Sequence, residues 1–287
     1  MTRSFLFVPA DSERKMHKAV DAGADALILD LEDSVAAGAR RAARELTREF
    51  LVGRDDAWVR INAIDTEDAI EDLHAVMQSA PAGIVLPKAR SASDVVQLAT
   101  VLDELEQAHN IESGRTRIMP ICTERPEALF ALDGYIDSTP RLAGLSWGAE
   151  DLSTAVGAST NRGNDGNWLP PYELARTLCL FAAAAAGVAA VDTVFTDFRD
   201  VDGLARYAGN ARRDGFTGML AIHPAQVGAI NAAFLPTLAE IDRAGRIVAL
   251  FDESPDAGTL AMDGKMIDRP HLVQAQRILQ LARKVQA

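Results

Sequence analysis

Short apolar runs alternate along this chain with longer stretches whose apolar residues recur at helical spacing. Strand-like runs fall at residues 5–8, 26–31, 58–61, 83–86, 117–122, 142–147, 189–195 and 218–222. Most are apolar on both faces, as a parallel strand covered on its outer side must be. Helical sequence separates them: from Asp11 or Ser12 to residue 22, about 38–51, from Asp65 or Thr66 to 77, from Ser91 or Ser93 to 109, around 126–132, from 150, around 202–214, and after Pro224. Short strands alternating with longer helices predict an α/β fold. Eight such units over ~250 residues predict a TIM (β/α)8 barrel with a C-terminal helical extension. Two stretches depart from the alternation. Residues 159–171 are polar and Gly/Asn-rich, and their place beside Asp151 suggests a lid or substrate loop on the functional rim, with a tolerated surface insertion as the alternative. Residues 252–264 read as a loop, and 270–285 as a last amphipathic helix with no slot in the barrel wall. The expected division is a barrel over 1–250 and a loop-and-helix tail over 251–287, packing on or swapping to a neighbouring subunit.

Packing does not explain the charges at the strand ends. Asp30, Glu32 and Asp33 close the second strand, Arg60 the third, Lys88 the fourth, Glu124 the fifth, and Glu150 and Asp151 the sixth. In a parallel barrel these ends share one rim, where TIM-barrel active sites lie. Acids with one arginine suggest a hard metal ion and a carboxylate substrate. Several readings stay open. Asp151 suits a metal ligand or a carboxylate at a helix N-terminus. Arg60 suits carboxylate recognition or a structural ion pair with Glu32 or Asp30. Lys88 suits neutralisation of a negatively charged ligand, or a Schiff base. The backbone of Gly148, Ala149 and Glu150 opens a helix whose N–H groups suit a carboxylate oxygen. His223 ends the eighth strand as an acid/base or a structural histidine.

Composition narrows the partners. The 287 residues are 48% hydrophobic, enough for a sizeable core, and carry a formal net charge of −12. That balance argues against nucleic acid, which needs clustered cations. An anionic ligand needs locally placed cations instead. Cys122 and Cys179 lack any CxxC or Cys/His spacing and are expected as buried free thiols in a reducing cytosol. The apolar run at residues 4–9 is too short for a signal segment, and nothing approaches the ~20 residues of a membrane span. The expected location is the cytoplasm.

Several segments carry a resemblance. Residues 3–9 (RSFLFVP), 23–33 (GADALILDLED), 59–62 (VRIN), 86–88 (LPK), 148–152 (GAEDL), 222–226 (IHPAQ) and 263–268 (DGKMID) run in order over almost the whole chain. Together they resemble the citrate lyase beta-subunit-like branch of the HpcH/HpaI aldolase superfamily, whose members include citryl-CoA, malyl-CoA and citramalyl-CoA lyases. The resemblance implies a TIM barrel, Mg2+, a CoA thioester substrate and a homotrimer or homohexamer. It implies Glu124 and Asp151 as metal ligands, Arg60 on the keto-acid oxygens, and Glu32 near the metal. It also implies Asp268, supplied by a neighbouring subunit, as catalytic acid/base; the bare sequence equally suits an N-cap before Arg269-Pro270. The usual Pro-x-Ile-Glu-Thr reads here as Pro120-Ile-Cys-Thr-Glu124, so either a bulge restores the acid or Thr123 stands in its place. Asp33 replaces the His of the CoA-independent aldolases. Arg14, Lys15 and Lys18, with Arg3 close in sequence, suit CoA phosphates or a solvated helix face.

The expected activity is a Mg2+-dependent C–C lyase acting on a β-hydroxyacyl-CoA. The alternatives are a malate or methylmalate synthase or malyl-CoA thioesterase on the same site, a CoA-independent hydroxy-diacid aldolase, and a non-catalytic lyase subunit.

Overall fold

The computed structural model describes residues 2–286 and divides into two compact units, Met1–Asn231 and Ala232–Ala287. In the first unit eight parallel strands run β1 (Ser4–Pro9), β2 (Ala26–Asp30), β3 (Ala57–Arg60), β4 (Gly83–Leu86), β5 (Arg117–Pro120), β6 (Gly144–Ser146), β7 (Ala189–Asp192) and β8 (Gly218–Ala221). Their order is β5-β4-β3-β2-β1-β8-β7-β6. The ring closes between the outer two strands: Ala143 N–H donates to the Ile118 carbonyl (2.9 Å) and Cys122 N–H to that of Ser146 (2.8 Å). This is a TIM barrel.

The barrel interior holds Phe5, Ala26, Ile28, Val85, Met119, Ile121, Val191 and Leu220. Strand side chains alternate between faces, so the parity that turns Ala26 and Ile28 inward also turns Asp30 inward at the strand's end. Charges thus cap the apolar plug. Helices α1 (Glu13–Val20), α2 (Arg40–Leu51), α3 (Glu67–Val76) and α4 (Ala92–Ala108) follow the first four strands. The Thr66 and Ser91 hydroxyls accept the Ala69 and Ser93 N–H groups at the starts of the last two.

The later units depart from the expected pattern. After β5 the helix expected at 126–132 is two 3-10 turns, Pro126–Phe130 and Leu132–Tyr135. After β6 the short α5 (Ala149–Ala155) is followed by α6 (Pro170–Ala185), which the sequence reading did not separate from its loop. Pro170 and Pro171 look like loop residues, yet proline suits a first helical turn, where its missing N–H needs no partner. Helices α7 (Val201–Asp214) and α8 (Pro224–Ala233) complete the series.

The second unit begins well before the boundary expected near residue 250. It holds α9 (Leu238–Glu253), a hairpin of β9 (Thr259–Met262) and β10 (Lys265–Asp268), and α10 (Arg269–Gln286). Its own core of Ala244, Ile247, Phe251, Met262, Ile267 and Ala275 explains why α9 groups with the tail. The segment read as a loop therefore carries a strand. Asp263 and Gly264 both take positive φ (53° and 73°), the two-residue turn an Asp-Gly pair favours in a hairpin. Among the described residues no helix is long and apolar enough to cross a membrane.

Gly83 sits where an added Cβ would lie 2.4 Å from the Trp58 ring. That ring is held edge-on to Phe5, with centroids 5.9 Å apart. Gly83→Ala should destabilise the protein by about 1–3 kcal/mol through overpacking, read as a lower denaturant midpoint with unchanged slope; an unchanged midpoint would contradict this packing.

Candidate active site

Asp30 and Arg60 are register partners across the β2–β3 ladder. That adjacency lets both carboxylate oxygens meet the guanidinium: Nε to Oδ1 and Nη2 to Oδ2, each 2.7 Å. Nη1 lies 3.2 Å from Glu32 Oε2. The guanidinium sits 4.7 Å from the centroid of the Phe7 ring. Burial disfavours the charge on Arg60, but the hydrogen bond and charge of Asp30 outweigh it and keep the group protonated. Asp30 in turn is held below its ordinary range, since the Arg60 bond overcomes burial. It also accepts the Glu32 N–H (3.1 Å) and so fixes the backbone beyond the strand.

Lys88 takes a left-handed conformation (φ 54°) just past β4. Its ammonium reaches Glu32 Oε1 at 2.6 Å, Asp33 at 3.3 Å and Asp151 at 3.7 Å. Burial would lower its pKa; the bond to Glu32 and the charges of Asp151 and Asp33 raise it instead. Held charged this way, Lys88 stands as a cation among the acids of the rim. The Lys88 backbone N–H donates to Glu124 Oε2.

Glu124 is buried, and burial together with the Asp151 charge pushes its carboxyl up to about 8. Its side chain enters the same cavity as Asp151, whereas the Thr123 hydroxyl turns aside to accept the Gly148 N–H (3.2 Å). Glu32 is raised as well, by burial, against the pull of Arg60 and Lys88. Its buried Oε2 meets the Arg60 guanidinium as an ion pair without hydrogen-bond geometry.

These groups line a cavity of about 400 Å3 at the C-terminal ends of the strands, with Phe7, Asp30, Asp33, Arg60, Glu124 and Gly148–Asp151 in its wall. An adjoining opening of about 430 Å3 shares Glu124, Glu150 and Asp151 and adds Lys88 and Arg125. Gly148 contributes space, because a Cβ there would meet Glu124 Cγ at 2.7 Å. Its N–H is committed to Thr123, which leaves Ala149 and Glu150 as the backbone donors of the expected trio.

Other expected residues lie elsewhere. Arg14, Lys15 and Lys18 are exposed on α1. His223 caps α8, accepting the Ala225 N–H at 3.1 Å, and stacks on Phe198. Asp268 ends β10 in the second unit. No residue of 159–171 lines the 400 Å3 cavity. This corrects the lid expectation: Trp168 is buried against Trp147, with centroids 5.1 Å apart, and Arg162 lies over its ring. The loop instead borders a larger cavity of about 750 Å3 beside α6 and α7. Trp147 is fixed by donating to Asp192 (2.7 Å), which also binds Arg176 and Tyr207. Asp192 and Phe7 carried no sequence signal: one reads as a strand residue, the other as core. Cys122 and Cys179 are buried and unbridged.

Among the described residues no three His, Cys, Asp or Glu side chains are set to enclose a metal ion. The pair Glu124 and Asp151, two carboxyls in one cavity with Glu124 raised by burial and by the Asp151 charge, fits an oxygen-preferring cation that keeps open positions.

Charged strand ends gathered on one rim mark the active-site face of a TIM-barrel enzyme. The chain belongs to the HpcH/HpaI aldolase/citrate lyase family, whose sequence profile matches residues 3–224. It is 32% identical over 288 residues to the citrate lyase subunit beta of Leuconostoc mesenteroides subsp. cremoris, covering 98% of this chain and 93% of the relative. It is 35% identical over 296 residues to a (3S)-malyl-CoA thioesterase of Cereibacter sphaeroides, covering 99% and 96%. Among solved structures, CitE of Mycobacterium tuberculosis in complex with magnesium, acetoacetate and coenzyme A superposes with a TM-score of 0.85 at 33% identity, covering 98% of both chains.

The raised Glu124 carboxyl has a stability consequence. The folded state holds this proton up to about pH 8, the unfolded chain only to its ordinary value near 4.5. Chelator-treated protein should therefore lose stability as pH rises through that window, by at most on the order of 1.4 kcal/mol per unit. Glu124→Gln should flatten the dependence in thermal unfolding; an unchanged slope would contradict it.

Proposed function

We propose that this chain is a Mg2+-dependent lyase that cleaves a β-hydroxyacyl-CoA of the malyl-, citramalyl- or citryl-CoA type into a 2-keto acid and an acyl-CoA. The observation that supports it most is the convergence of Arg60, Glu124 and Asp151 on one cavity, with Glu32 joining Arg60 to Lys88. Glu124 and Asp151 would hold the magnesium. Bound there, the ion would polarise the hydroxyl and carboxylate oxygens of the substrate and serve as a template for the keto acid.

Arg60 grips the carboxylate beside the hydroxyl carbon with the donors its Asp30 clamp leaves free. Glu32 and Asp30 hold that fork in place, and Ala149 and Glu150 offer N–H groups to a carboxylate oxygen. Lys88, kept charged by Glu32, offsets negative charge at the rim. A base takes the hydroxyl proton, the C–C bond breaks, and its electron pair passes to the α-carbon of the thioester. Asp268 of a neighbouring copy, in a homotrimer or homohexamer, delivers the proton to that carbon. Arg14 and Lys18, exposed on the helix after β1, are the candidates for the CoA phosphates. A second reading, hydrolysis of the thioester, is favoured by the likeness to the (3S)-malyl-CoA thioesterase.

Incubation with malyl-CoA, citramalyl-CoA and citryl-CoA, following keto acid and free thiol separately, tests both readings. The expected result is keto acid without thiol, lost on chelation and in Asp151→Ala. Thiol release would favour the hydrolase, and turnover of none of the three would sink the lyase. Arg60→Lys, which keeps the charge but loses the planar fork, should lower kcat/KM at least tenfold, about 1.4 kcal/mol of transition-state binding; a wild-type value would remove Arg60 from substrate recognition. Added Mg2+ should raise the melting temperature more at pH 8 than at pH 6, because its ligands must shed a proton first.

A further inference from the structure

We propose that His271 and Asp268 form a single acid/base unit in which the imidazole positions the carboxyl and shares one proton with it. This rests on the reading of Asp268 as proton donor. Asp268 is the residue before α10, and His271 stands in that helix's first turn. The Asp268 N–H donates to His271 Nδ1 at 3.2 Å. The same nitrogen lies 2.5 Å from Asp268 Oδ1. A nitrogen that accepts an N–H presents a lone pair. A carboxylate oxygen so close to a lone pair is repelled unless a proton lies between them, so the carboxyl and the ring share one proton.

Helix capping accounts for half of this geometry. A side chain at the third helical position commonly reaches back to the N-cap N–H, which explains the 3.2 Å contact. The 2.5 Å contact satisfies no backbone group and joins two titratable side chains. Two arginines, Arg269 and Arg277, line the same surface opening as His271. Arg269 donates to the Pro255 carbonyl and lies over Phe251. Lys265 begins β10, and Asp252, Glu253 and Asp256 stand at the end of α9 and in the loop after it. Both side chains are partly exposed, at 42% for His271 and 32% for Asp268, so a ligand can reach them. In the cleavage direction the proton passes from Asp268 to the α-carbon of the thioester, leaving the carboxylate. The pair regains a proton from solvent, or from that carbon in the reverse reaction.

The test compares His271→Gln, His271→Ala and Asp268→Asn in the Mg2+-loaded protein with its best thioester substrate. Glutamine keeps an acceptor for the cap but cannot share the proton. Asp268→Asn is expected to lower kcat by about 10²–10⁴-fold, the usual contribution of a general acid. His271→Gln is expected to keep the wild-type melting temperature and KM while kcat falls about tenfold, a loss within that contribution. In 15N-histidine-labelled protein the shared proton should appear as a strongly downfield signal on Nδ1 that disappears in Asp268→Asn. A His271→Gln enzyme with wild-type kcat beside a crippled Asp268→Asn would overturn the unit, as would a wild-type spectrum lacking that signal. Full turnover by Asp268→Asn would instead overturn the acid/base assignment of Asp268, and the catalytic role of His271 with it.

Discussion

The pairing of Asp30 with Arg60 across the β2–β3 ladder is the constraint on which the rest of the rim depends. Parallel register fixes the two side by side at the inward end of adjacent strands. Once Asp30 takes Nε and Nη2, the guanidinium can turn neither toward solvent nor down among the apolar residues of the barrel. The remaining donors then face the cavity and Glu32. Asp30 also holds the Glu32 N–H, so one carboxylate orients the arginine and anchors the backbone of the acid that follows. A buried ion pair gives little net stability, because desolvation offsets the attraction. Here its value is geometric: a planar fork aimed at one place before any ligand arrives.

Around that pair the charges are unbalanced in a directed way. Glu32, Asp33, Glu124 and Asp151 crowd one side of the rim, and Lys88 is the cation that bridges three of them. Burial and the Asp151 charge outweigh the backbone donor that Glu124 receives from Lys88, and so keep its carboxyl raised to about 8. A buried carboxyl in that state is poised for a cation, since a divalent ion would supply the charge that burial and Asp151 withhold. On the proposed reading, the cost is borne in the metal-free protein and would be recovered on binding, which would couple the site to the stability of the barrel.

The barrel was legible in the sequence because its strands are apolar on both faces and bounded by turn residues. The charged strand ends, Asp30, Glu32, Arg60, Lys88, Glu124 and Asp151, were legible because charge has no packing role there. Asp192 and Phe7 were not: each sits at a position that ordinary strand packing explains, and only the fold reveals one beneath Trp147 and the other under Arg60. The loop at 159–171 misled for a related reason. Polar composition marks a loop but does not say which way its one large aromatic points, and Trp168 turns into the protein. The tail misled because its core is local to residues 244–275, and a hairpin built on an Asp-Gly turn carries too few apolar residues to announce itself.

The one-residue displacement of Glu124 has a physical resolution in the same terms. Met119 and Ile121 point into the barrel, so strict strand alternation would send Thr123 inward next and Glu124 away. The ladder ends before that rule applies. Ile121 pairs with Ser146 in an isolated bridge, and the Cys122 N–H closes on the Ser146 carbonyl. Beyond Cys122 the backbone turns instead of continuing as a strand. That turn gives Thr123 to the Gly148 N–H and carries Glu124 into the cavity. Gly148 is what permits it, since any side chain there would collide with Glu124 Cγ. The shifted acid and the glycine are therefore one structural unit: the turn after β5 is tolerable only against a residue without a Cβ, and the carboxyl reaches the cavity only because of that turn.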